Sequence, residues 1–201
     1  MKLLAFVDLH QDKENLRALV QRAGQKDIDF VVCAGDISTF GRGLRIVLEK
    51  FNAIGKKIYV IPGNHEEGLD GWQQLLGEYP QWDGFHKAVR LIGNYVFLGY
   101  GGNGFSQFDA EFRKVARQWY GEHQDKKIVL VTHGPPVGTK VDLLEKRHVG
   151  NVDYRKFIER IKPKVVICGH LHETAGVVDA IGETKVVNPG RAGMVIELKD
   201  P

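Results

Sequence analysis

The chain has 201 residues, enough for one sizeable core and too few to require two domains. Its 28 basic and 25 acidic side chains leave a net charge of +3, which neither demands nor forbids nucleic acid, but no basic, aromatic strip marks a long polyanion channel. Two cysteines argue against a disulfide scaffold. The absence of a signal core, or of an apolar run of roughly twenty residues, predicts a cytoplasmic protein that does not enter membranes.

In chain order, Lys2–Val7 reads as a strand, with Asp8 and His10 just beyond it. Lys13–Ala23 reads as a helix: Leu16, Leu19, Val20 and Ala23 recur on one face, and Asp12 stands where a cap belongs. Phe30–Cys33 is a strand ending at Gly35-Asp36. Leu44, Val47, Leu48 and Phe51 mark a second amphipathic helix, and Lys57–Ile61 a strand stopped by Pro62-Gly63. This strand–helix alternation is the grammar of an α/β fold with parallel pairing.

Further on, Leu69–Leu76 predicts a short helix. Val89–Ile92 and Tyr95–Tyr100 around Gly93-Asn94 predict a hairpin. Gly101–Gly104 follows as a turn or site loop, then a helix over Asp109–Trp119 and a strand over Ile128–Thr132 leading to His133. Gly134–Gly150 is long enough to cover a cleft. A helix over Val152–Ile161 and a strand over Lys164–Cys168 lead to Gly169-His170. Strands over Gly176–Ala180, Lys185–Val187 and Met194–Leu198 close the chain, and this late run favours a second, partly antiparallel sheet. Two packed central sheets with helices outside are expected, in a single domain over residues 1–201. Cys33 and Cys168 each end an apolar run and read as small buried hydrophobes.

Five short clusters of ligand-capable residues each follow an apolar run: Asp8-Leu9-His10, Gly35-Asp36, Gly63-Asn64-His65-Glu66, His133-Gly134-Pro135 and Gly169-His170-Leu171-His172. Their oxygen and nitrogen donors suit transition metals, with Mn, Fe, Ni, Co and Zn all compatible. Taken singly, each fragment has a bland reading as a cap, a turn residue or a satisfied core histidine. Their ordered recurrence at strand ends points instead to one shared site. Two divalent or mixed-valence ions held there leave open positions for solvent and substrate, and a metal-activated hydroxide outperforms bulk water as a nucleophile. Glu66 reads as a support for a ligand or for backbone. No phosphate-loop lysine motif is present, which argues against ATP hydrolysis by that route.

The same five clusters closely resemble the pattern of the calcineurin-like metallophosphoesterase family. The resemblance implies a four-layer α/β/β/α sandwich with a binuclear metal centre. It implies that Asp8, His10, Asp36 and His172 hold one ion, that Asp36, Asn64, His133 and His170 hold the other, and that Asp36 bridges them. It makes His65 the catalytic histidine outside the ligand set, facing phosphate and leaving group. His133-Gly134-Pro135-Pro136, Gly138-Thr139, Arg147-His148-Val149-Gly150, His172-Glu173 and Asn188-Pro189-Gly190 narrow the likeness to a compact group of microbial phosphoesterases within the family. Two positions depart from the pattern. Gln11 replaces a common glycine after the first histidine. Thr39 replaces the acidic residue with which phosphoprotein phosphatases orient the catalytic histidine.

These features favour hydrolysis of small phosphodiesters. Phosphomonoesterase, nuclease and noncatalytic interaction scaffold stand as alternatives, with nucleic acid a disfavoured partner. Arg42, Arg147, His148 and Arg191 are candidates for phosphate or substrate contact, each balanced against a surface role. The oligomeric state is not readable from the sequence.

Overall fold

The computed structural model describes residues 1–199. Its first sheet has the order β13 (Met194–Glu197), β1 (Lys2–Phe6), β2 (Phe30–Cys33), β3 (Ile58–Val60) and β4 (Trp82–Gly84). All neighbours are parallel except β13 and β1. The second sheet has the order β11 (Val178–Ile181), β12 (Thr184–Val187), β10 (Val165–Ile167), β7 (Lys127–Thr132), β6 (Tyr95–Tyr100) and β5 (Ala88–Ile92). Its inner four strands are parallel and its two edge strands antiparallel.

Side chains alternate across a strand, and the parallel strands use both faces. From β1, Leu4 and Phe6 pack outward with Leu16 and Leu19 of α1 (Lys13–Ala23), Val47 and Phe51 of α2 (Leu44–Asn52) and Trp72 of α3 (Trp72–Gly77). Leu3, Ala5 and Val7 point the other way and meet Phe97, Val129, Val131 and Ile167 of the second sheet. Beyond that sheet, Leu98, Leu130 and Val166 pack against Phe112 and Trp119 of α4 (Ala110–His123) and Tyr154 and Phe157 of α5 (Val152–Ile161). The layers are therefore α/β/β/α, as expected. Cys33 and Cys168 are free and buried within them.

The helix starts follow side-chain chemistry. Asp12 accepts the N–H groups of Glu14 and Asn15, Asp109 those of Glu111 and Phe112, and Asn151 those of Asp153 and Tyr154. The expected elements form, with ends shifted by a few residues. The sequence does not anticipate β4 or the two-residue hairpin β8 (Leu143–Leu144) with β9 (Arg147–His148). One placement needs correction: the last strand does not extend the second sheet. It pairs with β1, so that Ile196 lies opposite Leu3 and β13 forms one edge of the first sheet. Among the described residues no helix is long and apolar enough to cross a membrane.

Candidate metal centre

Parallel register aligns the strand ends. Phe6 pairs with Cys33 and Cys33 with Val60, so the loops after β1, β2 and β3 leave the first sheet at one edge. Thr132 pairs with Tyr100 and Val131 with Ile167, which does the same for the loops after β6, β7 and β10. The two edges meet where the His133 ring, from the second sheet, bonds the Ala34 carbonyl of the first through Nδ1 at 2.9 Å.

This brings all seven expected ligands and His65 together. His10 Nε2 and His133 Nε2 lie 3.5 and 3.4 Å from Asp36 Oδ2. Asn64 Oδ1 is 3.0 Å from both His133 Nε2 and His170 Nδ1. His10 Nε2 and His172 Nε2 are 3.2 Å apart, and His172 Nε2 is 3.9 Å from Asp8 Oδ1. His65 Nε2 approaches Asp36 Oδ2 to 3.9 Å, so this histidine borders the cluster without being remote from it.

The backbone is bent hard to achieve this. Asp8, His10, Asp36 and His170 all have positive φ, at 56°, 43°, 51° and 70°. L-residues adopt this region at a cost, and such strain concentrates at functional sites. Close approach also needs glycine: a Cβ on Gly63 would sit 2.0 Å from Asp36 Oδ1. Glu66, almost fully buried, ties the loops together. Its carboxylate accepts the N–H of Asp36 at 2.8 Å, of Ser38 at 3.0 Å and of Gly63 at 3.1 Å, and the Ser38 hydroxyl at 2.7 Å.

The donor set fits metal ions. With Nδ1–H donated to Ala34, His133 turns Nε2 toward two oxygens, Asn64 Oδ1 and Asp36 Oδ2. Three such acceptors converge only around a proton or a cation. His10 is held in the same manner, its Nδ1 3.2 Å from the Ser38 carbonyl. Asp8 Oδ1 and His170 Nε2 are buried and have no hydrogen-bond partner among the described residues. Three groups, Asp8/His10/His172, His10/Asp36/His65 and Asp36/His133/His170, each place their ligand atoms within 4.8 Å of one another.

The electrostatics carry the same demand for positive charge. Burial pushes the Asp8 carboxyl up to about 7, with His133 opposing and Asp36 adding. Burial works against charge on His133, but the Asp36 carboxylate outweighs it and holds the imidazole up at about 9. Burial lowers His170 to about 4 and also depresses His10 and His172, favouring the neutral imidazoles that ligate metals.

A cavity of about 580 Å³ opens from the cluster. Its lining combines His10, Asp36, Asn64, His65, His170 and His172 with the apolar Phe105, Leu144 and Leu171 and the charged Glu173 and Arg191. The Gly134–Gly150 segment does reach the cavity, but through Leu144. The candidates Arg147 and His148 do not line it; both are exposed, and His148 Nδ1 bonds the buried Asp142 at 2.9 Å. Arg42 is exposed and also does not line the cavity. Sequence reasoning missed Phe105, Leu144 and Leu171, since an apolar residue in a loop carries no local signal of facing a cleft.

Two sheets flanked by helices, with Asp, Asn and His loops converging at their joint edge, define the class of metal-dependent phosphoesterases. Residues 1–174 match the family model of the calcineurin-like phosphoesterases, and the chain belongs to that family. It is 30% identical to an uncharacterized protein of Methanocaldococcus jannaschii, across 94% of this chain and 88% of that one. It is 26% identical to metallophosphoesterase domain-containing protein 1 of Homo sapiens, across 86% of this chain and 65% of the human protein. In three dimensions it is similar to the TT1561 protein of Thermus thermophilus, with a TM-score of 0.75 at 16% identity, covering 95% of this chain and 90% of that one.

Proposed function

We propose that this protein hydrolyses small phosphate diesters at a binuclear centre, with residues 1–201 acting as one domain. Asp8, His10, Asp36 and His172 would hold one ion, and Asp36, Asn64, His133 and His170 the other, Asp36 being shared. The observation that carries this reading is the position of Asp36 Oδ2, 3.5 Å from His10 Nε2 on one side and 3.4 Å from His133 Nε2 on the other. When bound, the ions supply Lewis-acid neutralisation of phosphate charge and an acidified water as nucleophile.

The chain's own residues do the rest. His65 N–H donates to Asp36 Oδ1 at 3.0 Å, which fixes the backbone of the catalytic loop relative to the shared carboxylate. The His65 ring faces the cavity and is placed to protonate the leaving oxygen. Among the described residues its Nδ1 is buried with no hydrogen-bond partner, so no carboxylate there bonds this nitrogen as in the phosphoprotein phosphatase pattern. Instead Phe40, the neighbour of Thr39, packs on the ring with centroids 4.1 Å apart. That departure, and a cavity sized for a small ester, favour small molecules over phosphoproteins. The apolar lining residues Phe105, Leu144 and Leu171 favour a diester over a monoester, since a second substituent gives them something to contact.

The test is reconstitution. Chelated protein is reloaded separately with Mn, Fe, Ni, Co or Zn, metal per chain is counted, and rates are compared on short diesters, matched monoesters, phosphopeptides and long nucleic acid. Two ions per chain and the highest kcat/KM on short diesters are expected. Absence of metal-dependent hydrolysis, or consistently higher efficiency on phosphopeptides or nucleic acid, would overturn the proposal.

A further inference from the structure

Phe40 and Phe105 are each 64% exposed, and each rests on a histidine of the cluster. Phe40, in the loop after β2, has its ring 4.1 Å from His65. Phe105, in the loop after β6, has its ring 4.2 Å from His170. One loop belongs to the first sheet and the other to the second, so the cluster is flanked by an exposed phenyl ring from either half of the sandwich. Single exposed apolar residues need no explanation. Two rings laid against the reactive groups do, because the hydrophobic effect opposes their exposure until something covers them.

Both rings are held in place by their backbones. Phe40 has a φ of 51°, an outlier for so bulky a residue, inside a turn closed by the Arg42 N–H to the Thr39 carbonyl and the Gly41 N–H to Ser38 Oγ. The Phe105 loop is clamped on both sides: Asn103 N–H donates to Glu67 Oε2 at 3.1 Å, and Asn151 Nδ2 donates to the Ser106 carbonyl at 2.8 Å. A Cβ on Gly104 would come 2.9 Å from His170 Cε1, so glycine there lets the loop lie against the imidazole. Rings fixed in this way are preorganised to bind.

We infer that Phe40 and Phe105 determine specificity by receiving the two ester substituents of a phosphate diester, and that the favoured substrates carry planar aromatic groups. The inference rests on the diesterase reading above. Phe40 does not itself line the cavity but packs on His65, which does and is placed beside the leaving oxygen; a departing substituent that extends past His65 meets the Phe40 ring. Phe105 lines the cavity with Leu144 and receives the substituent retained on phosphate. Aromatic stacking on a fixed ring is the recognition in both positions.

Two substrates with a common leaving group separate the roles: bis(p-nitrophenyl) phosphate and methyl p-nitrophenyl phosphate, each corrected for its uncatalysed rate. Phe105→Ala should lower kcat/KM on the bis-aryl ester by about three- to tenfold, mostly through KM, and by at most about twofold on the methyl ester. Phe105→Tyr should restore the preference, and Phe40→Ala should lower both aryl-leaving substrates together through KM. A loss in kcat that is greatest on esters with alkyl leaving groups would instead make Phe40 a prop for His65 and overturn its part of the inference. Calorimetric binding of diphenyl phosphate should weaken about three- to tenfold in Phe105→Ala, with metal content unchanged. Equal loss on both substrates, or loss of metal, in Phe105→Ala would make the ring a prop for His170 and overturn the inference. An unchanged ratio with intact turnover would also overturn it while leaving the diesterase reading standing. Failure of the wild-type protein to cleave either ester with metals bound would defeat both.

Discussion

Glu66 and Asp36 are joined by a buried hydrogen bond in which the Asp36 N–H donates to Glu66 Oε2 at 2.8 Å, across thirty positions of sequence. The same carboxylate holds Ser38 and Gly63, so one side chain fixes the loops after β2 and β3 to each other. The two oxygens of an ionised carboxylate can accept all these donors. Glu66→Gln puts an amide –NH₂ against N–H groups and leaves donors unpaired. Stability should fall by about 2–4 kcal/mol, read from urea unfolding, and metal content should fall with it. A variant of wild-type stability would show that the loops are held by other contacts.

His65→Ala should leave the fold and most metal occupancy intact while removing the proton donor. On esters with poor leaving groups the rate should drop by about 10²–10⁴, and much less on p-nitrophenyl esters, whose leaving group departs without help. The readout is the slope of log kcat against leaving-group pKa, which should steepen. An unaltered slope combined with metal loss would reassign His65 as a ligand, as its 3.9 Å approach to Asp36 Oδ2 permits.

His86 provides a pH signature away from the metal cluster. Its Nδ1 accepts the Gly101 N–H at 2.8 Å, and burial, with Lys87 adding, pushes it down from 6.5 to about 4. The folded state therefore resists a proton that the unfolded chain takes up. This stabilisation is complete above about pH 6.5 and is lost as pH falls from there through 4. With the ring partly open to solvent, the loss should be about 1–2 kcal/mol. His86→Asn keeps an acceptor without titrating. Its stability should decline less than that of the wild type between pH 6.5 and 4, measured by urea midpoints. Parallel curves would show that His86 keeps its ordinary affinity for protons.

Asn151 has two separable tasks. Its Oδ1 caps α5 and its Nδ2 holds the Ser106 carbonyl of the loop that carries Phe105. Asn151→Ala should lose both and cost about 1–2 kcal/mol. Asn151→Asp should retain the cap but free the loop. KM for an aryl diester should then rise in Asn151→Asp, with thermal stability closer to wild type than that of Asn151→Ala. Equal KM in wild type and Asn151→Asp would show that the loop does not depend on this bond.

Much of the local structure was determined by the sequence alone. Helices α1 and α5 and strand β2 have the boundaries that their spacing predicts, because apolar period and flanking breakers act within a few residues. Asp12 caps α1 for the same reason. The cluster residues were legible too, since Asp, His and Asn after successive strands form a chemical pattern, and parallel strands deliver such ends to one edge. Other features depend on partners distant in sequence, and only the tertiary structure decided them. β4 is three residues long and exists by pairing with β3, and β13 joins the first sheet because β1 offers it an edge. Leu144 lines the cavity, whereas Arg147, its partner across the short hairpin, and His148 do not, a difference set by where the folded hairpin lies against the cleft. Phe40 and Phe105 meet His65 and His170 only once their loops have folded over the strand ends. Periodicity specifies which face of an element is apolar; which loop lies beside which is settled by the packing of whole sheets.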